Sequence, residues 1–173
     1  MAAAIAPILI AIASFVLRLV NLGSTKGYIF DEVYYVDGAR DLLKYGVEVS
    51  GSSPEFIVHP PVGKWLIGGG IAIFGDNEFG WRFATALIGT LLILVFARLV
   101  HVLFYSPLLT GLGAALMAMD GLLLVHSRTA LLDLFLTFFV LIAILLWHRG
   151  RHWWAGLAFG LALGCKWSAI YFI

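Results

Sequence analysis

Charge is what this sequence has least of. Aspartate, glutamate, lysine and arginine make up 12% of its 173 residues, where a soluble domain carries about 25%. With 62% apolar residues and a mean hydropathy of +1.00, the composition excludes an ordinary soluble domain and points to an integral membrane protein. Cysteine occurs once, as Cys165 inside an apolar run, so no internal disulfide can form and the redox compartment is left open. A net charge of +1 argues against a nucleic-acid partner. Walker-type and G-x-G-x-x-G loops are missing, so no nucleotide site is indicated. The first apolar run has no charged residue ahead of it and no A-x-A site after it, so it reads as an uncleaved span rather than a secretory signal.

What the chain does have is apolar length. A helix rising about 1.5 Å per residue needs about 20 apolar residues to cross the hydrocarbon core, and five runs approach that: 4–20, 84–104, 108–125, 130–147 and 153–173. The expected fold is therefore all-α, a polytopic transmembrane bundle forming one unit over 1–173. The last run ends without a polar flank, so this is expected to be the N-terminal part of a longer chain. The connection His148-Arg149-Gly150-Arg151-His152 carries two arginines and no acid, which places it in the cytoplasm by the positive-inside rule. Parity then puts the turn at Tyr105-Ser106-Pro107 on the same side. It puts the 23–80 loop and the His126-Ser127-Arg128 turn outside.

Eight of the ten acidic residues fall between Asp31 and Glu78, in that first loop. The stretch Asp31 to Gly46 alternates apolar and charged faces at helical spacing, opens on acids and closes on Lys44 and a glycine. It predicts an amphipathic helix lying along the membrane surface. Glu48 to Pro54 reads as a flexible turn, and His59-Pro60-Pro61 as extended backbone. Gly68-Gly69-Gly70 argues against a rigid helix over Val62 to Phe74. Tyr28, Phe30, Trp65 and Trp81 are expected mostly as headgroup-level anchors, with Trp147 and Trp153 matching them on the other face.

Ionisable groups within or beside spans are costly, and the ones retained tend to face a polar cavity or a partner. Arg82, Asp120, Arg128, Asp133 and Lys166 all fall at or near the outer face, on the side of the Asp31-Glu32 loop. Lone snorkelling residues would explain each of them singly. Together they suggest a site in which cations hold a phosphate leaving group and a carboxylate takes a proton from an attacking hydroxyl. Adjacent carboxylates on a helix point in different directions, so Asp31 and Glu32 are expected to play different parts. His59 and His126 with the two carboxylates match no helical metal motif, which leaves metal binding a weak signal and a divalent ion the one cofactor left open.

In order along the chain, Phe30-Asp31-Glu32, His59-Pro60-Pro61-Val62-Gly63-Lys64-Trp65, Gly80-Trp81-Arg82, Ser127-Arg128-Thr129-Ala130-Leu131-Leu132-Asp133 and Gly164-Cys165-Lys166-Trp167 resemble the motifs of protein O-mannosyltransferases. These are polytopic GT-C enzymes that use dolichyl- or polyprenyl-phosphate mannose. The resemblance implies a GT-C bundle with juxtamembrane helices in an extracytoplasmic first loop. It implies inverting transfer of mannose to Ser or Thr hydroxyls of a polypeptide acceptor delivered by a protein translocon. Asp31 would be general base with Glu32 beside it as second catalytic carboxylate. Arg82, Arg128 and Lys166 would bind the donor phosphate, and His59, Lys64 and Asp133 would bind substrate.

Two competing readings stay open. Aminoarabinose transferases, with a glycolipid acceptor, resemble the chain at the acidic loop, the proline pair and the Arg128 to Asp133 segment, but typically carry Lys where this chain has His59. A non-catalytic membrane subunit or transporter fragment would place its ionisable groups near mid-membrane in broken helices. The implied location is a multi-pass one, in the cell membrane of a bacterium or the endoplasmic reticulum of a eukaryote, with the site on the extracytoplasmic face.

Overall fold

A computed structural model describes residues 2–50, 53–54 and 58–172. Among these the chain forms α1 (Ala2–Leu19), α2 (Glu32–Tyr45), α3 (Val62–Phe74), α4 (Glu78–Phe104), α5 (Pro107–Met119), α6 (Gly121–His126), α7 (Leu132–His148) and α8 (His152–Cys165), followed by a 3-10 helix, Trp167–Phe172. The strands β1 (Val49–Ser50) and β2 (Ser53–Pro54) form one small antiparallel pair, so the flexible turn expected at 48–54 is partly a hairpin. The all-α expectation holds.

Among the described residues one helix, α4, is long and apolar enough to cross a membrane, and at about 1.5 Å per residue its 27 residues span roughly 40 Å. Its start is fixed by Asn77, whose side chain accepts from the backbone N–H groups of Phe79 and Gly80 at 3.1 Å each. Residues 78–83, expected ahead of the apolar run 84–104 and in part in the 23–80 loop, thereby become its first turns. The helices within the other four runs are shorter. The run 108–125 breaks into α5 and α6 at Asp120, whose carboxylate accepts from the Leu123 N–H at 2.6 Å and restarts the helix. The described part of the run 153–173 forms α8 and the 3-10 helix, because Lys166 is extended (φ −158°, ψ 135°) and stops the α-helix.

The glycine triplet is helical, contrary to expectation. Gly70 sits in α3 where a Cβ would come within 2.3 Å of the Gly80 carbonyl oxygen on α4, so the missing side chain serves close backbone approach between the two helices. The buried core joins Val36 and Ala39 of α2 to Ile67 of α3, Leu92 of α4, and Leu132 and Phe135 of α7. The loop helix α2 is thus packed into the bundle. Ile8, Leu9, Ile12 and Val16 of α1, by contrast, are exposed along one apolar face.

Candidate active site

Two adjacent carboxylates at the start of α2 go opposite ways. Glu32 turns inward and is completely buried. Its Oε1 accepts from Arg82 Nε at 2.8 Å and from the Ala130 N–H at 2.7 Å; its Oε2 accepts from Arg82 Nη2 and the Ile29 N–H, both at 2.7 Å. Arg82 spends its remaining donors on the Thr25 and Gly27 carbonyls at 2.8 and 2.9 Å. A carboxylate and a guanidinium taken out of water survive only when paired and fully hydrogen-bonded, as these are. The hub ties the first loop to α4 and to the turn before α7.

Asp31 stays half-buried on the other side. The residue before it, Phe30, has φ +53°, a conformation that L side chains rarely adopt. The Glu32 bond to the Ile29 N–H closes the turn that holds it. Tyr35, one helical turn on, lies 3.4 Å from Asp31 Oδ2 through its hydroxyl. Burial, then the charges of Asp31 and Asp133, push the Tyr35 phenol well above its ordinary range, so it remains a proton donor towards that carboxylate.

Asp31, Tyr35, Glu48, His59 and Lys64 line a cavity of about 500 Å³ between α2, the hairpin and the start of α3. Lys64 is buried against Glu48 as an ion pair. The His59 ring packs 5.9 Å from the Tyr35 ring, and its buried Nδ1 has no hydrogen-bond partner among the described residues. Burial first, then the Lys166 and Lys64 charges, lower the His59 pKa and hold it neutral at pH 7. Beyond His59, Lys166 Nζ reaches both oxygens of Asp133, at 2.8 and 3.0 Å. Trp167 Nε1 donates to the Val58 carbonyl at 3.0 Å and ties the 3-10 helix to the His59 segment.

The structure brings Asp31, His59 and Lys64 to one cavity, with Lys166 and Asp133 near enough to act on the His59 charge. It does not bring Arg82 or Arg128 there. Arg128 Nη1 donates to the Leu17 and Arg18 carbonyls at 3.0 Å each, capping α1 where a helix C-terminus favours a cation. Among the described residues no group of three His, Cys, Asp or Glu side chains is placed to share a metal ion.

Sequence reasoning missed two buried residues. Arg18 is fully buried, with Nε donating to Ser127 Oγ at 2.8 Å and Nη1 to Ser14; the Ser14/Arg18 spacing of one helical turn was the available signal. Glu48 gave none, since a partner 16 residues away has no period. Two expected membrane anchors also prove to be structural. Trp81 is buried, stacks on Tyr28 at 5.2 Å and donates to Asp76 at 2.6 Å, while Asp76 in turn receives Arg40 through two bonds of 2.8 Å.

A family model described as dolichyl-phosphate-mannose-protein mannosyltransferase matches residues 58–173. The chain belongs to this family. The match covers the His59, Arg82, Arg128 and Lys166 segments, and the Asp31-Glu32 turn lies ahead of it. Among curated proteins, a polyprenol-phosphate-mannose--protein mannosyltransferase of Mycobacterium tuberculosis H37Rv is 40% identical over 201 residues, covering 95% of this chain and 38% of its own. The protein of the same name from Mycolicibacterium smegmatis is 33% identical over 203 residues, covering 98% and 39%. An undecaprenyl phosphate-alpha-4-amino-4-deoxy-L-arabinose arabinosyl transferase of Pseudomonas aeruginosa PAO1 is 34% identical over a shorter 146 residues, covering 81% and 26%. The chain thus spans less than two-fifths of the length of the mannosyltransferases it matches. No solved structure shows significant similarity.

Proposed function

We propose that this chain takes part in inverting transfer of mannose from a polyprenyl-phosphate mannose to a Ser or Thr hydroxyl of a polypeptide. The observation that carries the reading is the division of labour at the start of α2: Glu32 is consumed in the buried hub, while Asp31 opens on the cavity. In the reaction the acceptor oxygen bonds the anomeric carbon and its proton passes to Asp31. The bond from that carbon to the phosphate oxygen breaks, and the phosphate leaves with the electron pair. Positive charge building at the sugar is offset by the nearby carboxylate. Lys166, with 23% of its side chain exposed, is the cation that can turn towards the leaving phosphate once Asp133 shares it. Neutral His59 and Lys64 would orient substrate. Arg82 and Arg128, first expected on the phosphate, would act by holding the loop and α1 in place.

The GT-C arrangement follows as part of the same proposal: one unit over 1–173, several apolar helices across a bacterial cell membrane, and the Asp31 cavity on the extracytoplasmic face. An extended polypeptide, delivered there during translocation, would be the acceptor. Asp31→Asn keeps size and hydrogen bonding but removes the base, and general base catalysis contributes about 10²- to 10⁴-fold. Glycosylation of a secreted acceptor should fall at least about a hundredfold with expression unchanged; undiminished transfer would remove the assignment. Labelled donor that appears on glycolipid rather than protein would favour the aminoarabinose-type reading.

A further inference from the structure

At the far end of α4 from Arg82, roughly 24 Å away along the axis at 1.5 Å per residue, lies a second cavity, of about 450 Å³. Arg98, His101 and Tyr105 line it from α4 and its cap, and His148, Arg149 and Arg151 line it from the connection between α7 and α8. Among the described residues none of these three arginines enters an ion pair or donates a side-chain hydrogen bond. Beyond residue 78 the sequence holds two acids, Asp120 and Asp133. The first caps α6 and the second receives Lys166, so neither neutralises the cluster.

His148 also lines a neighbouring groove of about 580 Å³ along α7 and α8, which is otherwise mostly apolar: Ala143, Ile144, Trp147, Gly156 and Phe159 are among its walls. Trp147, Trp153 and Trp154 stand exposed around the same end, as the aromatics of a headgroup belt do. A free anion would use the arginine-lined cavity and have no use for the apolar groove. A molecule with a phosphate at one end and a hydrocarbon chain attached fits both at once.

We infer that this end of the protein binds an anionic glycerophospholipid, its phosphate among Arg98, Arg149 and Arg151 and one acyl chain in the α7–α8 groove. Guanidinium forks match phosphate oxygens, and basic pockets between membrane helices recognise anionic headgroups. The inference rests on the membrane placement proposed above and is independent of mannosyl transfer.

The test is native mass spectrometry of the detergent-purified protein titrated with phosphatidylglycerol, phosphatidylcholine or water-soluble glycerol phosphate. Recovery from the membrane fraction and monodisperse elution are scored first, so a failure of the membrane reading shows there and not in the titration. Phosphatidylglycerol should bind at least tenfold more tightly than phosphatidylcholine. The variant Arg98→Gln/Arg149→Gln/Arg151→Gln, all at exposed positions, should lose about a hundredfold, since each cation near the surface contributes about a factor of five. Gly156→Leu places a side chain in open space of the groove; it should weaken the lipid and leave glycerol phosphate untouched. Equal binding of the two lipids, or undiminished binding by the triple variant, would overturn the inference. Glycerol phosphate binding as tightly as the lipid would reassign the site to a soluble anion. No lipid uptake by a well-folded protein would mean that another segment or partner covers the groove, and would equally overturn it.

Discussion

Glu32 and Arg82 show how much can depend on one pair of side chains. Removing one partner of a buried, fully hydrogen-bonded ion pair costs about 3–5 kcal/mol, because the other charge stays behind uncompensated. Glu32→Gln should therefore lower thermal stability and expression sharply, whereas Asp31→Asn should leave both nearly unchanged; a melting comparison of the two variants checks the split. His59 gives a pH dependence whose sign follows from its lowered pKa. The unfolded chain takes up a proton near pH 6.5 while the folded chain resists it. The neutral ring's contribution is thus present above about pH 6.5 and is lost as pH falls, levelling off below the folded pKa. His59→Gln should flatten the stability profile between about pH 5 and 7, as read by denaturation at several pH values.

At the level of elements, the α3–α4 contact depends on the absence of side chains. A Cβ at Gly70 would lie 2.3 Å from the Gly80 carbonyl oxygen, which is backbone and cannot swing aside. Gly70→Ala should cost about 1–3 kcal/mol through overpacking despite alanine's better helix propensity. Gly69→Ala meets open space and should be neutral or stabilising. Thermal unfolding of the two neighbours discriminates packing from propensity. The same contact explains why the triplet misleads when read by propensity alone: its conformational cost is real, but close helix packing overrides it.

Among the described residues, charge is sorted by end. Asp31, Glu32, Glu48, Asp76, Glu78 and Asp133 gather with their partners around α2 and the start of α4, while Arg98, Arg149 and Arg151, which donate no side-chain hydrogen bond there, gather at the end of α4 and the α7–α8 connection. If the bundle spans the membrane as proposed, a cysteine placed at Tyr34 and one at Arg128 should react with an impermeant maleimide from the same side. One at Arg149 should react from the opposite side. Cys165 is buried and should contribute little background. Labelling of 34 and 128 from different sides would break the shared site, since the turn carrying Arg128 and Ala130 is hydrogen-bonded into the Glu32 hub.

Apolar run length, helical periodicity and end signals determined the helical class and the amphipathic loop helix with its Gly46 cap at φ +75°. These are local or one-dimensional properties, set by apolar periodicity and by the cost of charge in an apolar span. Only the tertiary structure decided which of the adjacent carboxylates is buried, that Arg82 and Arg128 serve the backbone rather than the cavity, and that Lys64 finds Glu48. Such pairings join residues from 16 to 111 positions apart. No period in the chain encodes them, because they are selected by which donors and acceptors remain unsatisfied after the helices have packed.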